Sequence, residues 1–159
     1  MNPSSRDRLL YAMRPVRAAR AGGIDSPVIR LPCKVRGVDH LQVAVVLKRF
    51  ESPDETRVME KGRFELIRIG GLTIGRATYE PGWRWSLHVG PSVGATRCSV
   101  EHVGLVLSGT ATAAFEDGLV YELRAGQVFY IPPVPHDSWV VGEEPYVSLH
   151  LLGSERYAR

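Results

Sequence analysis

Cysteine is scarce in this chain of 159 residues, where Cys33 and Cys98 are the only two. Two thiols 65 positions apart make a poor disulfide framework, so the chain reads as the product of a reducing compartment, the cytoplasm by default. No run approaches the roughly 18 apolar residues of a membrane-spanning helix. The N-terminus lacks the apolar middle section of a secretory signal. A Gly-rich phosphate loop and a nucleophile elbow are also missing. These absences argue against a disulfide-stapled scaffold, a membrane span and the common nucleotide-binding and serine-hydrolase sites.

The length suits one domain, and a hydrophobic content of 44% lets it bury a core without staples. The net charge of +3 is unevenly spread. Residues 1–57 hold 11 Lys/Arg against 6 Asp/Glu, whereas residues 58–159 hold 9 against 11. A nucleic-acid binder should carry a basic stripe on a folded face. Here the positive charge sits on an irregular arm, so neither a nucleic-acid nor a membrane partner is expected. We therefore divide the chain into a basic extension, 1–57, and a β-barrel domain, 58–159.

Within the extension, Arg6 to Arg20 has a short helical flavour that Pro15 interrupts. It reads as a plain arm or, less simply, as an Arg-rich targeting presequence. Gly22-Gly23, Pro27 and Pro32 mark a linker. His40 to Phe50 is an apolar run that suits an edge strand laid across a partner subunit, or a short helix; periodicity does not separate the two. A homodimer is the oligomer this suggests. Cys33 and His40 are taken as structural or exposed, and Glu51 to Glu55, with Pro53, as a break.

From Met59 onward the texture is one of short strands. They are expected at Phe64–Ile69, Leu72–Tyr79, Trp83–Val89, Val103–Leu107, Thr110–Phe115, Val120–Leu123, Gln127–Ile131, Ser138–Val141 and Tyr146–Leu152. Between them lie turn signals such as Pro81-Gly82, Gly118, Gly126 and Pro132-Pro133. Frequent strands with frequent turns point to an all-β sandwich or barrel rather than a βαβ fold.

Four histidine or cysteine residues fall within Gly82 to Val140: His88, Cys98, His102 and His136. Imidazole and thiolate suit zinc, copper, iron or nickel better than magnesium or calcium. If Trp83–Val89 is a strand, His88 shares a face with Ser86 and Arg84, and the thirteen residues before His102 can form a reversing loop. Cys98 joins only if Ser99-Val100-Glu101 turns, because four residues of continuous strand would separate it from His102 by roughly 13 Å. Pro132, Pro133 and Pro135 restrict the backbone before His136. Arg84, Ser86 and Tyr130 are the candidate polar pocket lining; Trp83, Trp85 and Trp139 are assigned to the barrel wall. Glu101 is an alternative to His102, though of the wrong strand parity, and His150 is read as structural.

These blocks resemble the paired motifs of the cupin superfamily, jelly-roll (double-stranded β-helix) proteins that usually hold a divalent metal. Gly82 to His88 resembles the opening of the first motif, and His102 to Gly109 its end. Gly126 to Pro132, with His136 beyond, resembles the second. The likeness covers roughly Phe64 to Leu152, and it is similar to small single-domain bacterial cupins that share the Trp83-Arg84-Trp85-Ser86-Leu87-His88 opening. The departures are specific. Gly90 stands where a second histidine is usual, His102 where a glutamate is usual, and Val140 replaces a closing asparagine. The resemblance implies a site of three histidines, or three plus Cys98, favouring zinc, with iron, nickel, copper or manganese as other candidates. It implies binding or transformation of a small molecule. A sensing or structural cupin with a closed tetrahedral site is the alternative, because four protein ligands leave zinc no open position.

Overall fold

The computed structural model describes residues 29–30 and 44–159. The Arg6 to Arg20 segment, the Gly22-Gly23 linker, Cys33 and His40 lie outside the described residues. Among the described residues, eleven strands and two short helices run in the order β1 (Ile29–Arg30), β2 (Ala44–Val45), β3 (Glu55–Met59), β4 (Gly62–Ile69), β5 (Leu72–Tyr79), α1 (Trp85–His88), α2 (Gly90–Val93), β6 (His102–Ser108), β7 (Thr110–Phe115), β8 (Val120–Arg124), β9 (Val128–Ile131), β10 (His136–Asp137) and β11 (Tyr146–Leu152). No helix among the described residues is long and apolar enough to cross a membrane.

Two antiparallel sheets make the barrel. One has six strands in the order β3-β4-β5-β11-β6-β9, and the other has three in the order β10-β7-β8. Alternation along the strands turns one face inward. Tyr146, Ser148 and His150 of β11 are buried, as are His102, Gly104 and Val106 of β6. Tyr146 and Val106 share one hydrophobic core with Phe64, Tyr79, Ala111, Ala113 and Phe129. The fold is therefore the all-β barrel expected from the strand and turn pattern, of the jelly-roll type that the resemblance implies. The β4–β5 hairpin closes through Gly70 and Gly71, both at positive φ (57° and 79°), as a two-residue turn matched to strand twist requires.

A single row across the large sheet shapes the interior. Leu66, Gly75, His150, Gly104 and Phe129 are successive cross-strand partners. A Cβ at Gly75 would strike the Phe64 ring, and one at Gly104 would strike the Phe129 ring and the Leu149 carbonyl. Both glycines are thus clearances for phenyl rings, which stand edge-on to the His150 imidazole at 5.3 and 5.6 Å. The segment after β11 folds back under this row. Tyr157 is buried against Phe64, its hydroxyl accepting a 2.7 Å hydrogen bond from Tyr79. Arg57 donates to the carbonyls of Ser154, Glu155 and Tyr157, holding that segment in place.

Two expectations are corrected here. Glu55–Met59 is a strand paired along its whole length with β4, so the sheet begins before the 57/58 division and the break expected at Glu51 to Glu55 ends earlier. Trp83–Val89 is not a strand: Arg84 is extended (φ −143°, ψ 134°) and Trp85–His88 is a helical turn. The cause lies far along the chain. The first N–H groups of a helix need outside acceptors, and Asp137 supplies one, its Oδ1 taking the Ser86 N–H at 3.0 Å and its Oδ2 the Ser86 hydroxyl at 2.9 Å.

Candidate metal centre

Cys98 and His136 face each other as an isolated antiparallel bridge, each N–H donating to the other's carbonyl at 2.9 Å. Side chains of directly opposed residues lie on the same side of a sheet, so thiol and imidazole are held together. His102 arrives at the start of β6, paired with Ile131. Ser99-Val100-Glu101 does turn, for Cys98 Sγ lies 3.4 Å from His102 Nε2. One ligand atom from each of Cys98, His102 and His136 falls within 4.8 Å of the other two, and all three residues are buried.

His136 Nδ1 sits 2.8 Å from the Val134 carbonyl. A carbonyl only accepts, so Nδ1 carries the proton and Nε2 keeps a free lone pair. Metal-ligating histidines are commonly fixed by this kind of second bond. The three residues line an interior cavity of about 40 Å³ together with Tyr79, Trp83 and Trp85. That space takes an ion and a few small atoms, far less than a drug-sized ligand needs.

Burial dominates the electrostatics. It pushes His102 down to about 2, aided by His150 and His136, and His150 down to about 4. His136 is also lowered by burial, although its bond to Val134 acts in the opposite sense. The Cys98 thiol is pushed up to about 11. All three imidazoles are therefore neutral, the form that ligates, whereas the thiol must surrender a proton to bind a cation. Two imidazoles and one thiolate fit a borderline-soft divalent ion better than a hard one.

The remaining sequence-based candidates lie elsewhere. His88 is half-buried on α1, its Nδ1 2.9 Å from both N and O of Arg84, and it is no part of the cluster. The helical turn breaks the strand parity that had aimed it inward. Tyr130 is exposed and donates to Glu101 Oε1 at 3.0 Å, so it lines no cavity, and Glu101 is engaged outside. Arg84 stacks on the Trp139 ring at 4.6 Å and lies 3.8 Å from Asp137. Ser86 borders a separate outer hollow of about 440 Å³ with Leu87, Pro91 and Arg97. Trp139 is only half-buried, whereas Trp83 and Trp85 are wall residues of the inner cavity.

His150 is the residue that sequence reasoning undervalued. It lines the cavity, its ring 5.3 Å from that of His102, with Nε2 3.1 Å from Ser148 Oγ. The signal was available: Tyr146, Ser148 and His150 alternate with the outward residues of the last strand.

The geometry agrees with the comparison of sequences. Residues 83–151 match the family profile of the cupin domain. Residues 83–151 are a cupin domain. No curated protein matches the chain in sequence. Among solved structures, the cupin is similar to a protein of unknown function from Acidithiobacillus ferrooxidans, at 22% identity over 62% of this chain and 86% of that one, with a TM-score of 0.47. It is also similar to a Klebsiella pneumoniae protein with a double-stranded β-helix domain (17% identity, 59% and 77% covered, TM-score 0.41). A third is oxalate decarboxylase from Bacillus subtilis (21% identity, 63% and 27% covered, TM-score 0.44). Likeness at this level carries no argument about activity.

Proposed function

We propose that the cupin holds one divalent transition metal, zinc before iron, nickel, copper or manganese, through Cys98 Sγ and the Nε2 atoms of His102 and His136, and binds a small molecule beside it. The convergence of those three buried ligand atoms within 4.8 Å supports this reading. With His88 outside the cluster, three protein donors leave a fourth position for water or ligand, the mark of a reactive rather than a purely structural zinc site. A metal held there supplies Lewis acidity toward an oxygen of the bound molecule. The chain's own residues keep the imidazoles neutral, fix the His136 ring and exclude bulk water.

The second reading is a sensor or structural cupin, and the smallness of the cavity favours it. It differs in having no turnover, and the metal set is the same. A homodimer belongs to either reading. The exposed apolar side chains Leu107, Val128, Tyr130 and Leu151 on the outer face of the large sheet support it, and the solution mass tests it.

Elemental analysis of freshly purified protein decides the metal assignment. One equivalent is expected in the wild type and in His88→Ala, and less than a tenth in His102→Ala and His136→Ala. Full occupancy in both of the latter variants refutes the site.

A further inference from the structure

Residues that line the inner cavity carry buried hydrogen-bond donors with no partner in the protein. Trp83 Nε1 and Trp85 Nε1 are buried without a partner, and both residues line the cavity beside Cys98, His102 and His136. Their side chains are almost wholly enclosed, at 1% and 4% exposure. An indole N–H can only donate. Buried donors normally find acceptors, and unpaired ones call for an explanation. Two such donors belong to residues of one cavity wall.

Their neighbours reinforce the imbalance. His102 Nδ1 and His150 Nδ1 are buried and unpartnered as well. If His102 binds metal through Nε2, its remaining proton sits on Nδ1 and adds a third donor. The Tyr79 hydroxyl is already committed to Tyr157. Among the described residues, no Asp, Glu, Lys or Arg lines the cavity. A divalent ion with one thiolate would therefore leave one uncompensated positive charge in a dry space, which is costly unless an anion joins it. Tyr79 stacks on Trp83 with centroids 3.7 Å apart and planes parallel to within 1°, so this donor is positioned before any ligand arrives.

We propose that the fourth position takes a small monoanion with oxygen donors, a carboxylate of one or two carbons or an inorganic oxyanion such as nitrite, and that the Trp83 and Trp85 indole N–H groups hydrogen-bond its oxygens. The cavity of about 40 Å³ sets the size limit. This deepens the metal reading by naming the class of ligand, and it rests on that reading for the coordination position and the charge balance, while the indole donors stand on their own.

The test is a titration of ¹⁵N-labelled full-length protein, of measured metal content, with formate, acetate, nitrite and neutral formamide. The three indole N–H resonances report separately, and Trp139, stacked outside under Arg84, is the internal reference. We expect the Trp83 and Trp85 signals to shift saturably with the anions and not with formamide, while Trp139 stays fixed. Trp83→Phe and Trp85→Phe should each weaken anion affinity about tenfold without changing metal content. Formate and acetate acting without nitrite would restrict the ligand to carboxylates, and nitrite alone to inorganic oxyanions; either outcome supports the pocket. Metal-loaded protein showing no indole shift with any anion overturns the proposal and leaves the metal site standing. If no metal is present, the metal assignment fails, and the same titration still judges the donors: selective shifts keep them, and none refutes them.

Discussion

Cys98 is the residue on which the chemistry turns. Its sulfur is apolar enough to pack when protonated, and burial holds it so. Metal binding should therefore release about one proton from the thiol near neutral pH. Cys98→Ser is expected to weaken zinc binding at least tenfold and to abolish that release, which calorimetry in buffers of different ionisation enthalpy measures. In cobalt-loaded protein the thiolate-to-metal absorption should vanish with the same substitution. Unchanged proton release would remove the sulfur from the ligand set. Gly104 offers a second test. Gly104→Ala forces a Cβ into the Phe129 ring and the Leu149 carbonyl, so a loss of about 1–3 kcal/mol of stability is expected in urea denaturation.

The turn at α1 shows what a single sequence reveals about elements and what it hides. Thr110–Phe115 and Tyr146–Leu152 were legible to the residue, because alternation and flanking glycine or proline mark them locally. Trp83 to Val89 looks just as strand-like, yet it coils because Asp137 accepts the Ser86 N–H and hydroxyl from 51 residues away. No local pattern can announce that bond. The same turn misdirected His88, Arg84 and Ser86. Cys98 and His102 were legible as candidates, but their meeting depends on the bridge to His136 rather than on their own spacing. The strand β3 was hidden by its charges, since Glu55 is tied to Arg57 and Arg68, which hold its carboxyl down at about 2. Asp137→Ala should loosen α1 and cost about 1–3 kcal/mol, read by thermal unfolding and by faster amide exchange at Ser86. Exchange unchanged at Ser86 would contradict the cause given for the turn.

At the scale of the whole molecule, pH should act from two sides on protein stripped of metal. His102, His136 and His150 are all depressed by burial below the ordinary 6.5. The unfolded chain therefore binds more protons than the native one as pH falls through 6.5, and stability declines with acid. The Cys98 thiol is raised from 9.0 to about 11, so the native state binds more protons than the unfolded chain in that interval, and stability falls again as pH rises through it. Melting temperatures should peak between about pH 6.5 and 9, and bound zinc should flatten the neutral part of the curve. A Tm independent of pH from 5 to 8 would mean that the imidazoles are accessible to protons in the native state.

The bridge between Cys98 and His136 joins a loop ahead of β6 to the segment after β9. The chamber therefore exists only once those distant stretches have docked. An ion that binds only the docked arrangement would shift the docking equilibrium itself. The amides of Cys98 and His136, which close the bridge, should then exchange with solvent more slowly once zinc is added, and a chelator should restore the faster rate.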